Sequence, residues 1–360
     1  MTDPVTEGIP CALMRGGTSK GAVFLASDLP GDETERNDLL LRVMGSPDPR
    51  QIDGVGGAVS VTSKVAVVSS SPDDEADVDY LFLQVVVGEP QVSATQTCGN
   101  ILAAVGPFAI ERGLVPATGD ETQVRVRLVN TGATARLTVR TPGGRVTYAG
   151  EASVSGVPGT AAPVEIATLP QDQPLFPTGN RVDTVAGVEV TCVDNGMPVV
   201  VVRAADVGVV GDEDPDTLEA DPRLTAAIAA VRAEAGALMG VPTGPDSTTP
   251  KIALVSEARD GGSIATRCFI PVTVHTSLGV LAGASILAAA ALPGTVAHDL
   301  ATAPADGAPW RLEHPTGSLD LGAGVDDGER PSVTTIVVRT ARMLFDGRVF
   351  PRPPAHQETT

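Results

Sequence analysis

The chain has 360 residues, 44 acidic against 25 basic side chains and a formal net charge of −19 at pH 7, a balance that argues against nucleic acid or an anionic membrane surface as its partner. Its length exceeds the size at which one core usually keeps growing, so two domains are expected. The apolar fraction of 42% rests on Ala, Val and Leu, aromatics reach only 3%, and 39 Gly and 30 Pro punctuate the chain, a mixture that predicts many short strands and turns in place of a helical bundle.

Met1 to Pro10 shows neither a basic n-region nor an apolar h-region, so no secretory signal is visible there. The longest apolar stretch, Leu278 to Leu292, is too short and too rich in small residues for a membrane span. A soluble, cytoplasmic protein is expected. Cys11, Cys98, Cys192 and Cys268 lie far apart with no C-x-x-C, and only four histidines are present. Neither a metal site nor a disulfide framework is indicated.

In chain order, Ile9 to Met14 reads as a strand entering the glycine-rich Arg15-Gly16-Gly17-Thr18-Ser19-Lys20-Gly21, with Ala22 to Leu25 as a second strand. A phosphate loop requires Gly-Lys followed by Ser or Thr, whereas Lys20 here precedes Gly21, so this is a tight connection of another kind. Asp32 to Met44 has one apolar helical face. Gln51 to Gly57 is another glycine-rich loop, without dinucleotide spacing. It leads to Ser63-Lys64 and the strand Val65 to Val68, where burial of the lysine would favour its neutral amine. Tyr80 to Val87 is strand-like.

Cys98-Gly99-Asn100 then opens the apolar run Ile101 to Gly113, an all-round apolar helix that should be wrapped by sheet, with a kink expected near Gly106-Pro107. Its first N–H groups form a mouth that attracts anions. Gln123 to Val129, Thr134 to Arg140 and Arg145 to Tyr148 read as a meander, and Gly156 to Pro177 as the crossing between halves. Strands resume at Val182 to Val190, Val193 to Met197 and Pro198 to Val202, with Asp194-Asn195-Gly196-Met197-Pro198 as a turn. A helix is expected over Ala220 to Met239 and strands over Lys251 to Val255 and Arg267 to Val274. His275-Thr276-Ser277 opens a second small-residue helix to Leu292, where Thr276 and Ser277 suit N-caps. Trp310 to Glu313 and Val333 to Arg339 close the second half, and the segment after Phe350 reads as disordered. The predicted domains are 1–175 with central helix 99–113, 176–345 with central helix 277–292, and a tail, 346–360, that could return to the first domain.

Five motifs, Met14 to Gly21, Gln51-Ile52-Asp53-Gly54, Thr62-Ser63-Lys64, Cys98-Gly99-Asn100 and Glu313-His314-Pro315-Thr316-Gly317, occur in an order and spacing that resemble the methylaconitate isomerase family of the diaminopimelate-epimerase-like superfamily. Within that family the likeness is strongest to its 4-oxalomesaconate tautomerase branch, across Leu40 to Lys64 and Cys98 to Leu114. The resemblance implies an α+β fold of two pseudo-symmetric domains, each a curved, mostly antiparallel sheet around a central helix, with the active site where both helix mouths meet. It also implies cofactor-independent proton transfer on a small unsaturated polycarboxylate, with Lys64 as principal base and Cys98 as its candidate partner.

Epimerases of the superfamily use two facing cysteines, and here the second helix opens with His275-Thr276-Ser277 instead. Loss of that thiol disfavours two-base inversion and suits a tautomerisation or allylic shift along one face. The candidate substrate-binding residues are Arg15, Thr18, Ser19, Lys20, Ser63, Gly99, Asn100, Arg267, Thr276 and Ser277, with Lys251 a further contributor to the local positive field. No metal is called for. A 2-methylaconitate or methylitaconate-type isomerase, an amino-acid epimerase and a non-catalytic carboxylate-binding protein are the rival functions, and a homodimer is the assembly to test.

Overall fold

The computed structural model describes residues 4–95, 97–154, 156–168, 173–244 and 247–354. Two compact units are formed, one from the described residues up to Ile166 together with those from Val338 onward, the other from Ala167 to Val337. The divisions thus fall some eight residues before each of the boundaries read from composition. The first lies inside a strand, Pro163–Thr168, that occupies the expected crossing, and the second inside the long strand Ser332–Val349.

The first unit begins with α1 (Pro4–Glu7) and the hairpin β1 (Ile9–Gly16) and β2 (Ser19–Leu25). Helix α2 (Glu33–Met44) follows, its N-cap Asp32 accepting from the Glu35 N–H and its C-cap Gly45 in the left-handed region at φ 85°. Next come β3 (Lys64–Ser70), β4 (Val78–Val85), β5 (Val92–Ser93), helix α3 (Gly99–Glu111), β6 (Glu121–Leu128) and β7 (Thr134–Arg140). Strand β3 lies parallel to β2 and antiparallel to β4, while β6 lies parallel to β4 and antiparallel to β7. The alternation of β3 explains its two faces. Val65 and Val67 pack with Leu39, Leu40, Val43 and Met44 of α2, so Lys64, Ala66 and Val68 take the opposite face. Helix α3 packs against β1, β2, β3, β4 and β7 and is buried from Ile101 to Ala109 with Pro107 inside it, the wrapped apolar helix that its composition predicts.

The strand Pro163–Thr168 is β8. The second unit continues with β9 (Asp183–Val185), β10 (Val188–Asp194), β11 (Pro198–Arg203), α4 (Pro215–Glu219), α5 (Pro222–Met239), β12 (Lys251–Ser256), β13 (Ile264–Ile270), β14 (Thr273–Val274), α6 (Val280–Ala291), β15 (Trp310–His314) and β16 (Gly317–Asp326). Its pairings repeat those of the first: β10 with β11 antiparallel, β11 with β12 parallel, β12 with β13 antiparallel, β13 with β15 parallel, β15 with β16 antiparallel. In both units a helical crossover precedes the parallel strand and a buried helix precedes the next. Lys64 and Lys251 each open the equivalent strand. The final strand, β17 (Ser332–Val349), pairs through residues 332–336 with β16 and through 341–349 with β1.

Four expectations are corrected. Arg145 to Tyr148 is not a strand, because a turn at Pro142–Gly144 ends β7 and the chain leaves the ladder. Val182 to Val190 is a hairpin, broken at Ala186 and Gly187, whose φ values are 49° and 78°. The second central helix starts at Val280 with Gly279 as its cap, not at Ser277. The segment after Phe350 is tied down, since Arg352 donates to the Ser46 carbonyl and accepts from Arg42; residues 355–360 of the predicted tail lie outside the described ones.

Candidate active site

Seven of the predicted residues, Arg15, Thr18, Ser19, Lys20, Cys98, Gly99 and Asn100, belong to the β1–β2 turn and the mouth of α3, which meet. A Cβ on Gly16 would lie 2.3 Å from the Asn100 carbonyl oxygen, and one on Gly17, at φ 50°, 2.2 Å from Asn100 Oδ1. Only glycine lets the turn lie so close to the helix. The Asn100 side-chain amide donates to Thr18 Oγ1 at 3.1 Å. Ser19 is buried and Lys20 half-buried beside them in sequence, while Thr18 is exposed. Arg15 acts as a clamp: its Nη1 donates to the carbonyls of Gly17 and Thr340 and to Thr340 Oγ1 at 2.9–3.0 Å. Burial and the neighbouring Arg342 depress its affinity for a proton below that of an ordinary arginine.

Cys98 is the N-cap of α3 in extended conformation, and its thiol makes no capping bond. Its carbonyl accepts from the Leu102 N–H at 3.0 Å and from the Tyr80 hydroxyl at 3.2 Å. Tyr80 is fully buried and thereby fixes the height of the mouth. The N–H groups of Gly99, Asn100 and Ile101 come ahead of that first intrahelical bond, in the first turn, where backbone donors have no partner within the helix.

Lys64 is 9% exposed. Its Nζ donates to Gln84 Oε1 at 2.9 Å and lies 5.0 Å from the centroid of the Phe82 ring. The register accounts for both partners, because Lys64 pairs directly with Gln84 across β3–β4 and Ala66 with Phe82 on the same face. On its other side Lys64 pairs with Gly21, where a Cβ would stand 2.5 Å from the Lys64 carbonyl oxygen. Ser63, fully buried, donates through its hydroxyl to Gln51 Oε1 at 2.6 Å. The predicted substrate-binding serine is thus committed to holding a loop.

In the second unit, Arg267 donates from Nε, Nη1 and Nη2 to the carbonyls of Glu213, Thr266 and Asp212 at 2.8–3.0 Å, which ties the 212–213 loop to β13. Burial lowers its proton affinity. Thr276 and Ser277 lie ahead of α6 and cap nothing. The Ser277 N–H donates to His275 Nδ1 at 3.1 Å, with the Ser277 hydroxyl 3.2 Å from the same nitrogen, and the Thr276 carbonyl accepts from Thr316. Glu313 receives the N–H groups of Arg259, Asp260 and Gly262, each at 2.8 Å, so this acidic motif residue shapes a loop. Burial holds the adjacent His314 imidazole below its ordinary pKa. It likewise lowers the ammonium affinity of Lys251, whose neighbour Cys268 has a thiol pushed up to about 11. No cluster among the described residues could hold a metal ion, and no helix among them is long and apolar enough to cross a membrane.

Sequence reading missed Gln84, Tyr80 and the function of Gln51. A lone amide in an apolar strand is the signal that could have marked Gln84.

A family model described as PrpF protein matches residues 6–352. The chain belongs to this family. Among PrpF relatives, it is 53% identical over 352 residues to a (4E)-oxalomesaconate Delta-isomerase from Novosphingobium sp. strain KA1, covering 96% of this chain and 98% of the relative. It is 49% identical to a 4-oxalomesaconate tautomerase of Pseudomonas putida, covering 95% of each. The crystal structure of a methylitaconate-delta-isomerase superposes with a TM-score of 0.87 at 33% identity, over 95% of both chains. A hydroxyproline epimerase at 15% identity and a TM-score of 0.54 shares the fold alone. The chain is therefore an isomerase with the diaminopimelate-epimerase-like fold, as its five motifs imply.

Proposed function

We propose that this PrpF isomerase moves a proton on an unsaturated tricarboxylate, 4-oxalomesaconate, with Lys64 as the base. The observation that carries this reading is the environment of the Lys64 amine. It is almost buried, and its side-chain partners are an amide oxygen and an aromatic ring, neither of them a carboxylate. A lysine clamped by a carboxylate would be tied up in an ion pair, whereas the Lys64 amine is held by the oxygen of a neutral amide.

An oxalomesaconate-type substrate owes its C–H acidity to the extended enolate left behind. The enzyme must hold carboxylates and stabilise that developing charge, and preorganised N–H donors at low dielectric do both. The N–H groups of the first turn of α3, the Asn100 amide and the hydroxyls of Thr18 and Ser19 are the donors for this role, with Lys20 adding positive charge. Lys64 takes the proton, and Lys64, Cys98 or water returns it at the new position. Similarity to the two oxalomesaconate enzymes, at 53% and 49% identity, supports the substrate.

The test is an ultraviolet and NMR assay of purified protein with 4-oxalomesaconate, 2-methylaconitate and methylitaconate. The account expects kcat/KM for 4-oxalomesaconate to exceed the others by at least about 100-fold, a discrimination that a site built around polar substrate groups can reach. Preference for methylitaconate or 2-methylaconitate would assign the chain to the rival substrates of its family.

A further inference from the structure

Three side chains outside the predicted site, Ser46, Gln51 and Gln84, form with Ser63 a continuous support for Lys64. Ser46 Oγ donates to the Val86 carbonyl at 3.0 Å and accepts from Gln51 Nε2 at 3.2 Å. Gln51 Oε1 receives the Ala58 N–H at 2.9 Å and the Ser63 hydroxyl at 2.6 Å. The Ser63 carbonyl in turn accepts from Gln84 Nε2 at 2.9 Å. Gln84 Nε2 also faces the carbonyls of Ser60 and Val85, at 3.1 and 3.3 Å. Gln51 and Gln84 are both buried.

This arrangement decides which end of the Gln84 amide faces the lysine. The backbone carbonyls around Nε2 can only accept, so the nitrogen must lie among them and Oε1 must point away. The oxygen then meets Lys64 Nζ at 2.9 Å. A glutamate here would form an ion pair that stabilises the ammonium, and it would also set a carboxylate against those carbonyls. An apolar residue would leave the amine free to turn. A glutamine fixes the direction of one N–H bond while remaining neutral.

We infer that Gln84 is a positioning residue for Lys64, a neutral acceptor aimed by the backbone that directs the amine's lone pair toward the bound substrate. The inference rests on the proposed role of Lys64 as base. It also gives the Gln51 motif a purpose, since Gln51 holds the Ser63 segment whose carbonyl aims Gln84.

The experiment compares Gln84→Met and Lys64→Met with the unaltered enzyme on 4-oxalomesaconate. Misplacement of a reacting group by about 1 Å costs on the order of 100-fold, so Gln84→Met should lose that much kcat while KM stays within about threefold. Loss of substrate C–H in deuterium oxide should slow by the same factor as turnover. A merely structural role would lower thermal stability without singling out proton removal. Gln84→Asn, which withdraws the oxygen by one methylene, gives the same readout if Gln84→Met does not fold. A kcat near that of the unaltered enzyme, or an effect confined to KM, overturns the inference if Lys64→Met is inactive. Turnover by Lys64→Met would overturn the reading of Lys64 itself, and with it this dependent role.

Discussion

Lys64 and Cys98 differ in how the surrounding residues treat them. Lys64 is held by a side-chain acceptor at 2.9 Å, whereas the Cys98 thiol makes no cap bond and its carbonyl accepts from Tyr80. The other thiols are buried, Cys11 and Cys192 pushed up to about 12 and Cys268 to about 11, as unreactive core thiols are. Half-exposed Cys98 is the thiol left for chemistry. If it returns the proton, Cys98→Ala should lower kcat by about 100-fold with little change in KM, a general-acid effect of ordinary size, checked by steady-state kinetics. A normal kcat would reduce it to a helix cap. Lys64 was legible because Ser63-Lys64 stands between a glycine loop and an apolar strand. Gln84 was not, because its pairing depends on a strand register set 20 residues further on.

At the scale of elements, glycines in the β1–β2 hairpin announced a close backbone approach without saying to what. The structure supplies the partners: Asn100 for Gly16 and Gly17, and the Lys64 carbonyl for Gly21. Gly21→Ala would force a methyl to within 2.5 Å of that carbonyl oxygen. Overpacking of this kind costs about 1–3 kcal/mol, so the urea midpoint should fall and kcat should fall with it as β3 shifts. An unchanged midpoint would show that β2 and β3 can part without strain. The start of α6 was misread for a local reason. His275-Thr276-Ser277 looks like a cap, but the Ser277 hydroxyl faces the His275 ring, and the helix begins only after Gly279. Likewise the turn at Pro142–Gly144 removes a strand that the composition of Arg145 to Tyr148 suggested.

Over the whole molecule, the same succession of pairings occurs in both units, and a repeat carried by topology leaves little trace in a single sequence. What distinguishes the units is chemical. The α3 cap is Cys98 and the α6 cap is Gly279, so the opposing thiol expected of an epimerase has no counterpart at the equivalent cap. With a net charge of −19, the proposed binding of a tricarboxylate rests on local donors, the α3 mouth, Asn100 and Lys20, rather than on the overall field. One base working along one face is the reaction that this inventory supports. Its most direct test follows the carbon-bound proton of 4-oxalomesaconate by NMR in deuterium oxide, with unaltered enzyme and with Lys64→Met. The account predicts rapid enzymatic loss of that signal, falling to the buffer rate in Lys64→Met while the fold is retained. Loss at a rate within about tenfold of the unaltered enzyme, less than removal of a general base commonly costs, would contradict it.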